Sequence, residues 1–549
     1  MRPTRIMFLF CILSLALGAS PMHSSKDTEN RWIFCQNALG NSKDLEKLQS
    51  LIIDAKASGF NGIVLSSHFD SLDLQSPEDI ERINQLSAFC NQKAFNLIPC
   101  GFSIGYASAL LSHDKNLAEG FPVRDLLFKV AGAKAVPYSP ANADETLFAG
   151  DFENLNLSGM TLEDVGKVTF RDDKITHSGR SSLRLENFGY NSHGNARLSK
   201  DIEVTPFKSY QISFWYRVER LTAGTPIMVQ VYTTDGHFLT SSNMEQPSDV
   251  WQRCTLDFNS LEHTRLRIYL GVWAGKAGKV WIDDLNIKQQ KGLIRLILRA
   301  GIPIKVTDAF MGKAYHEETD FVIQEYPQGS NNFIIAINPL GHIREGSTLR
   351  VSYYRSYIMA HDQVCACMAA PEIYKIWEKQ IDLIEKLIHP HAYFLSMDEI
   401  RQGGYCDLCS NQDLSMILGR CVTRLYNIIK SNNKDIRVYM WGDMLDPNIG
   451  AIDNYCMTRG GFSNSWQYVP KNIIPVVWDY NNRDKSLSHF RKNGFTSMVS
   501  ISVDEDASVD RLKAWKKTLN KSKTKPGIMY TTWNHDYSHL KTFSETLFE

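Results

Sequence analysis

The stretch YFLSMDEIRQGGYC, Tyr393 to Cys406, sets an apolar run of strand character against two adjacent acids, Asp398 and Glu399, and then breaks at a glycine turn. A short apolar run closed by turn residues reads as a buried strand. Its place in the fold depends on how many such units flank it. Upstream, RWIFCQN (31–37), NGIVLSS (61–67) and NLIPCGFSIG (96–105) have strand character. They are separated by two helical segments. In the first, Leu45, Leu48, Ile52 and Ala55 recur at helical spacing; the second opens on Pro77, which suits a first turn. This βαβαβ run predicts a parallel sheet.

From about Leu147 to Tyr354 the texture changes to alternating strands such as SYQISFWYRVE (209–219), TPIMVQVYTT (225–234), RLRIYLGVWA (265–274) and KVWIDDLNI (279–287). That pattern predicts an antiparallel sandwich. Helical periodicity returns at PEIYKIWEKQIDLIEKLI (371–388), and the strand units AYFLSMDE, IRVYMWGD, IIPVVWDY, TSMVSISVDE and GIMYTTWN follow. Three strands before the interruption and five after it make eight. The expected fold is therefore α/β, a (β/α)8 TIM barrel interrupted after strand three by an all-β sandwich of the jelly-roll kind. The expected organisation is a signal peptide over 1–20, barrel strands one to three over 21–145 and the inserted β-sandwich over 146–290. A β-rich extension or connector over 291–356 and barrel strands four to eight over 357–549 complete it.

Composition narrows the partners. Of 549 residues 43% are hydrophobic, and Lys plus Arg and Asp plus Glu both number 60. Such a chain has no net field to attract nucleic acid or an anionic membrane, and a neutral partner such as a glycan fits better. The opening MRPTRIMFLFCILSLALGAS puts two arginines before an apolar run that ends in small residues. It reads as a secretory signal, too short for a membrane span, so a secreted or periplasmic location is expected. Ten cysteines remain beyond it. The pairs Cys365/Cys367 and Cys406/Cys409 allow a four-thiolate zinc site, disulfides or plain buried thiols, and no metal enters the expected mechanism.

In a barrel the strand ends on the C-terminal face carry the chemistry, which places Asp398 and Glu399 at the mouth. Strands five, six and eight end in Trp441, Trp478 and Trp533, each near Asp, Asn or Tyr. Aromatic faces beside hydroxyl-binding groups suit sugar rings. Glycoside hydrolysis usually uses two carboxyl groups, and Glu399 with Glu505 as nucleophile on strand seven is one such pair. The adjacent acids suggest another arrangement. There Glu399 is the general acid, Asp398 holds the nitrogen of a 2-acetamido group whose oxygen attacks the anomeric carbon, and Tyr480 or Tyr405 steadies that oxygen.

With Asp-Glu ending strand four, MWGDM ending strand five, VWDY ending strand six and Trp ending strand eight, the chain resembles the family 20 β-N-acetylhexosaminidases, especially their hexosaminidase-D-like relatives. The resemblance implies Asp398 as the acetamido-orienting residue and Glu399 as acid/base. It makes Trp441, Asp443, Trp478, Tyr480 and Trp533 candidates for substrate binding. The insert, with GDFEN (150–154), SGRSSLRLEN (178–187), ISFWYRV and VWIDDLNI, resembles jelly-roll carbohydrate-binding modules. That resemblance implies a structural calcium at Asp151, Glu153 and Asp284, and sugar contacts among Trp215, Tyr216, Trp251 and Trp273. The leading expectation is an exported hydrolase removing N-acetylhexosamine by a substrate-assisted retaining mechanism. The alternatives are a retaining hydrolase using Glu399 and Glu505, and a non-catalytic glycan-binding protein whose barrel is a scaffold.

Overall fold

A computed structural model describes residues 30–140, 146–154, 159–244, 249–359, 362–504, 506–521 and 526–548; the expected signal peptide and Glu505 lie outside them. Near the N-terminus, local rules decide the elements. Helix Ser42–Ala57 starts where the Asn41 side chain accepts from the Asp44 N–H, and it buries Leu45, Leu48, Ile52 and Ala55. Helix Pro77–Gln92 begins with a capping box between Ser76 and Asp79.

Eight parallel strands close on one another: Arg31–Gln36, Gly62–Ser66, Asn96–Gly101, Ala392–Leu395, Arg437–Trp441, Ile473–Val477, Met498–Ser502 and Ile528–Thr531. Because such strands are covered on both sides, they are nearly continuous apolar runs. Trp32, Phe34, Ile98, Phe394, Tyr439, Trp441 and Met529 fill the interior. Ile33, Ile63, Leu65, Tyr393, Val438 and Ile501 face the surrounding helices instead.

The expected (β/α)8 TIM barrel broken once by a jelly roll is overturned in two respects. First, the closed sheet is one of several, and the rest are almost wholly antiparallel. An eight-stranded antiparallel sheet joins Phe121–Ala131 and Lys134–Pro137, from before the sandwich, to six strands between Leu293 and Arg355. The reason lies in Phe121–Ala131, whose outer part alternates buried and exposed residues; it pairs with Thr348–Arg355 rather than continuing a parallel array. Second, the alternation of strand and helix fails between strands five and six. Only 3-10 turns at Asp443–Leu445 and Ser465–Gln467 and the short strand Met457–Thr458 fill that connection.

The sandwich is nested inside the antiparallel unit. One sheet orders Phe238–Asn243, Ile227–Thr233, Arg265–Val272, Ala196–Glu203 and Met160–Leu162. The other orders Gln252–Asn259, Ser209–Glu219, Lys279–Gln289, Ser182–Leu185 and Thr169–Asp172, with Thr146–Gly150 also paired to Lys279–Gln289. Ile212, Phe214, Tyr216, Val229, Leu256, Ile268 and Ile282 interdigitate between them. At the seam with the antiparallel unit, buried Arg355 pairs with Asp257 and donates to Ser209 and Gln290.

Candidate functional site

Strand four ends at Leu395, and Asp398 and Glu399 lie on the irregular segment beyond it. In a regular strand these neighbours would point to opposite faces. Here Glu399 takes φ 47°, a left-handed turn that interrupts the alternation. The loop after strand three runs against this corner. A Cβ on Gly105 would sit 2.3 Å from the Asp398 carbonyl oxygen, so only glycine admits so close an approach.

Four side chains converge on Glu399. Tyr106 donates its hydroxyl to one carboxylate oxygen, and Arg401 forms an ion pair with the other at 2.7 Å. Arg401 also donates to Gln363 at 2.7 Å, while the Gln363 amide donates to the Glu399 carbonyl at 2.8 Å. Asp443, past the end of strand five, accepts from the Glu399 backbone N–H at 2.8 Å, and its other oxygen is buried without a hydrogen-bond partner. Asp398 accepts from the Ser396 hydroxyl at 3.1 Å.

The electrostatics separate these acids. Burial, reinforced by Glu399, pushes the Asp398 carboxyl up to about 6. Burial, then the charge of Asp398, pushes Asp443 up to about 8, so it holds a proton at neutral pH. A proton-holding acid beside an ion-paired carboxylate is the raw material of acid-base chemistry.

The aromatic candidates divide. Trp441 is buried at the top of the barrel interior, its ring centroid 4.9 Å from Phe394, 5.7 Å from Phe34 and 6.3 Å from Trp533. Trp533 packs on Phe34 at 5.1 Å yet is 47% exposed, and Trp478 is 37% exposed, so both present ring surface to solvent. Asp504, ending strand seven, accepts from the Thr532 hydroxyl and the Trp533 N–H and fixes that corner. Tyr480 goes elsewhere: the guanidinium groups of Arg483 and Arg511 lie 4.2 and 4.5 Å from its ring, and Trp515 of helix Val509–Lys521 packs at 6.3 Å. Tyr405 is buried in the sandwich seam against Phe121 and donates to Glu262. Tyr106 and Gln363 were not among the expected residues. Tyr106 had a signal, since it follows strand three on the same face as the acid pair; Gln363 had none.

A second site lies on the sandwich. Along Ser209–Glu219 the inward residues alternate with outward ones, which sends Tyr216 to the core and Trp215 to the outer face. Arg253 pairs with Trp215 across one neighbouring strand, and Asp283 across the other. His177 stacks on Trp215 at 4.1 Å and meets Trp251 edge-on at 5.6 Å. Ser213, Trp215, Arg253, Asp284, Asn286 and Lys288 line a cleft of roughly 450 Å³ there. Trp273 lies outside this cluster, beside Arg197.

The acids expected to hold calcium are engaged separately. Glu153 accepts from the Arg180 and Ser181 N–H groups, Asp151 from the Glu153 N–H, and Asp284 from Ser178 and the His177 ring. Among the described residues they do not converge on one point.

Residues 144–276 match the family model described as carbohydrate binding domain. No curated protein matches the chain. Among solved structures, it is similar to the CBM22-1 xylan-binding domain of Xyn10C from Paenibacillus barcinonensis, at 16% identity and a TM-score of 0.23, over 28% of this chain and 99% of that one. It is also similar to the structure titled TmCBM61 in complex with beta-1,4-galactotriose, at 18% identity and a TM-score of 0.20, over 24% of this chain and 87% of that one. Values this low leave the functional reading to the family match and the geometry.

Proposed function

We propose that the chain binds carbohydrate through the outer face of its sandwich. The observation that carries the reading is the cleft around Trp215: Ser213, Trp215 and Arg253 lie inside the segment matched by the carbohydrate-binding family model, and Asp284, Asn286 and Lys288 are added by the strand that follows it. The Trp215 ring, held by the His177 ring stacked on it, supplies apolar surface for a sugar face, and Arg253, Asp284, Asn286 and Lys288 supply donors and acceptors for hydroxyls. No net charge on the chain opposes or requires an ionic ligand. Isothermal titration of the intact protein against a panel of neutral oligosaccharides tests this. Micromolar to millimolar binding to at least one, weakened at least tenfold in Trp215→Ala, supports the reading, and an undiminished affinity in that variant sinks it.

A second reading, hydrolysis of N-acetylhexosaminides at the barrel mouth, is favoured by the Asp398, Glu399 and Asp443 cluster past the ends of strands four and five, with Trp478 and Trp533 exposed past the ends of strands six and eight. In it Asp398 orients an acetamido group, and Glu399, which takes up a proton from solvent once substrate displaces Arg401, passes that proton to the leaving oxygen. Turnover of an aryl N-acetylglucosaminide that falls at least a hundredfold in both Asp398→Asn and Glu399→Gln is the expected result. Absence of turnover on aryl glycosides with oligosaccharide binding intact leaves the barrel a scaffold.

A further inference from the structure

The cysteine pairs do not meet as two pairs. Cys365 turns away, its sulfur 3.5 Å from the Gly105 carbonyl oxygen, while Cys367, Cys406 and Cys409 converge with Glu119. One ligand atom from each of these four buried residues lies within 4.8 Å of all the others. The Cys367 sulfur is 3.6 Å from that of Cys406 and 3.5 Å from that of Cys409, and the Cys409 sulfur is 3.9 Å from Oε2 of Glu119.

These spacings are those of a coordination shell. In a tetrahedron with zinc-sulfur bonds of about 2.3 Å and a zinc-oxygen bond of about 2.0 Å, sulfurs lie about 3.8 Å apart and sulfur and oxygen about 3.5 Å apart. We propose that Glu119, Cys367, Cys406 and Cys409 form a structural zinc site.

The surroundings are built for it. Residues 406–409 form a tight turn in which the N–H groups of Cys409 and Ser410 donate to the Cys406 carbonyl, presenting two sulfurs from one corner. The other oxygen of Glu119 accepts from the N–H groups of Tyr405 and Cys406, which leaves Oε2 to face the sulfurs. Cys367 is held alongside by its N–H to the Leu117 carbonyl, and the Glu119 N–H donates to the Cys365 carbonyl. Three thiolates, one carboxylate and a divalent ion leave a net double negative charge. Arg299, anchored by the Asn116 and Ala118 carbonyls, reaches the Cys406 sulfur at 3.6 Å and offsets part of it.

Three soft sulfurs select zinc over calcium or magnesium, and a fully protein-supplied shell of four is that of a structural rather than a hydrolytic site. Binding displaces the thiol protons to solvent, with no change of oxidation state. The ion joins the segment after strand three, the segment before helix Glu372–Leu387 and the end of the loop that starts at Asp398. Its action on the acid pair is that of a clamp.

The test uses the intact chain purified under reducing conditions without chelator. Elemental analysis is expected to return about one zinc per chain. Cobalt added to the metal-stripped protein is expected to give a thiolate-to-cobalt charge-transfer band and intense tetrahedral d–d bands. Cys406→Ser and Cys409→Ser should lose zinc, while Cys365→Ser should retain it. The cobalt spectrum is read on unsubstituted protein, so a misfolded variant does not decide the matter. Metal-free protein that gives no cobalt bands, copper or iron in place of zinc, or a disulfide joining two of Cys367, Cys406 and Cys409 would overturn the assignment.

Discussion

Asp443 is the residue on which the barrel mouth's pH behaviour turns. Its carboxyl stays protonated to about 8 in the folded chain, whereas an unfolded aspartate loses its proton near 4. Between those values the native state binds more protons than the unfolded state, so stability falls as pH rises through the window. Asp398, pushed to about 6, adds to the same slope over a narrower range. Asp443→Asn keeps an oxygen to accept the Glu399 N–H and removes the charge. Thermal melts should show the variant unfolding several degrees above wild type at pH 8, with the difference closing towards pH 4. A variant that melts below wild type at pH 8 contradicts the buried, proton-holding acid. Residue types alone marked Asp398, Glu399 and Asp443 as strand-end acids, but not their relation. That relation depends on the φ of Glu399 and on Gly105 letting a loop from strand three lie against them. Tyr480 was misleading for a similar reason: Arg511, one of the two arginines over its ring, arrives from a helix thirty residues downstream.

Among the elements, the last strand of the antiparallel sheet, Thr348–Arg355, joins two units. It pairs along its length with Phe121–Ala131, and the side chain of its final residue, Arg355, enters the sandwich seam against Asp257, Ser209 and Gln290. A buried ion pair broken on one side costs about 3–5 kcal/mol, because the remaining charge stays without its partner. Arg355→Ala is expected to lower unfolding stability by that order in denaturant titrations, and Arg355→Met combined with Asp257→Asn to recover a large part of it. A single variant within about 0.5 kcal/mol of wild type would show that the seam does not depend on this pair. The helix Ser42–Ala57 was legible because its apolar face lies within sixteen residues. Phe121–Ala131 was not, since the strand that pairs with its length begins more than two hundred residues later.

For the molecule as a whole, the order of nesting is the main consequence. In chain order the closed parallel sheet is interrupted by the antiparallel unit and that unit by the sandwich: the outer insertion leaves after Asn96–Gly101 and re-enters at its neighbour Ala392–Leu395, and the sandwich lies between Lys134–Pro137 and Leu293–Ile294, which both pair with Asn332–Ile337. The first sandwich strand, Thr146–Gly150, pairs with the last, Lys279–Gln289, so the sandwich's two ends emerge side by side. A fragment spanning 140–291 should therefore fold, melt cooperatively below the intact chain because it lacks Arg355 and Tyr357 at its seam, and keep oligosaccharide affinity within about threefold. A fragment that folds but binds nothing would move the ligand site off the sandwich. The most direct measurement is calorimetric titration of the intact protein and of Trp215→Ala with the oligosaccharide that binds best. The expected result is at least a tenfold loss of affinity, about 1.4 kcal/mol, at an unchanged melting temperature. Full affinity retained in Trp215→Ala contradicts it.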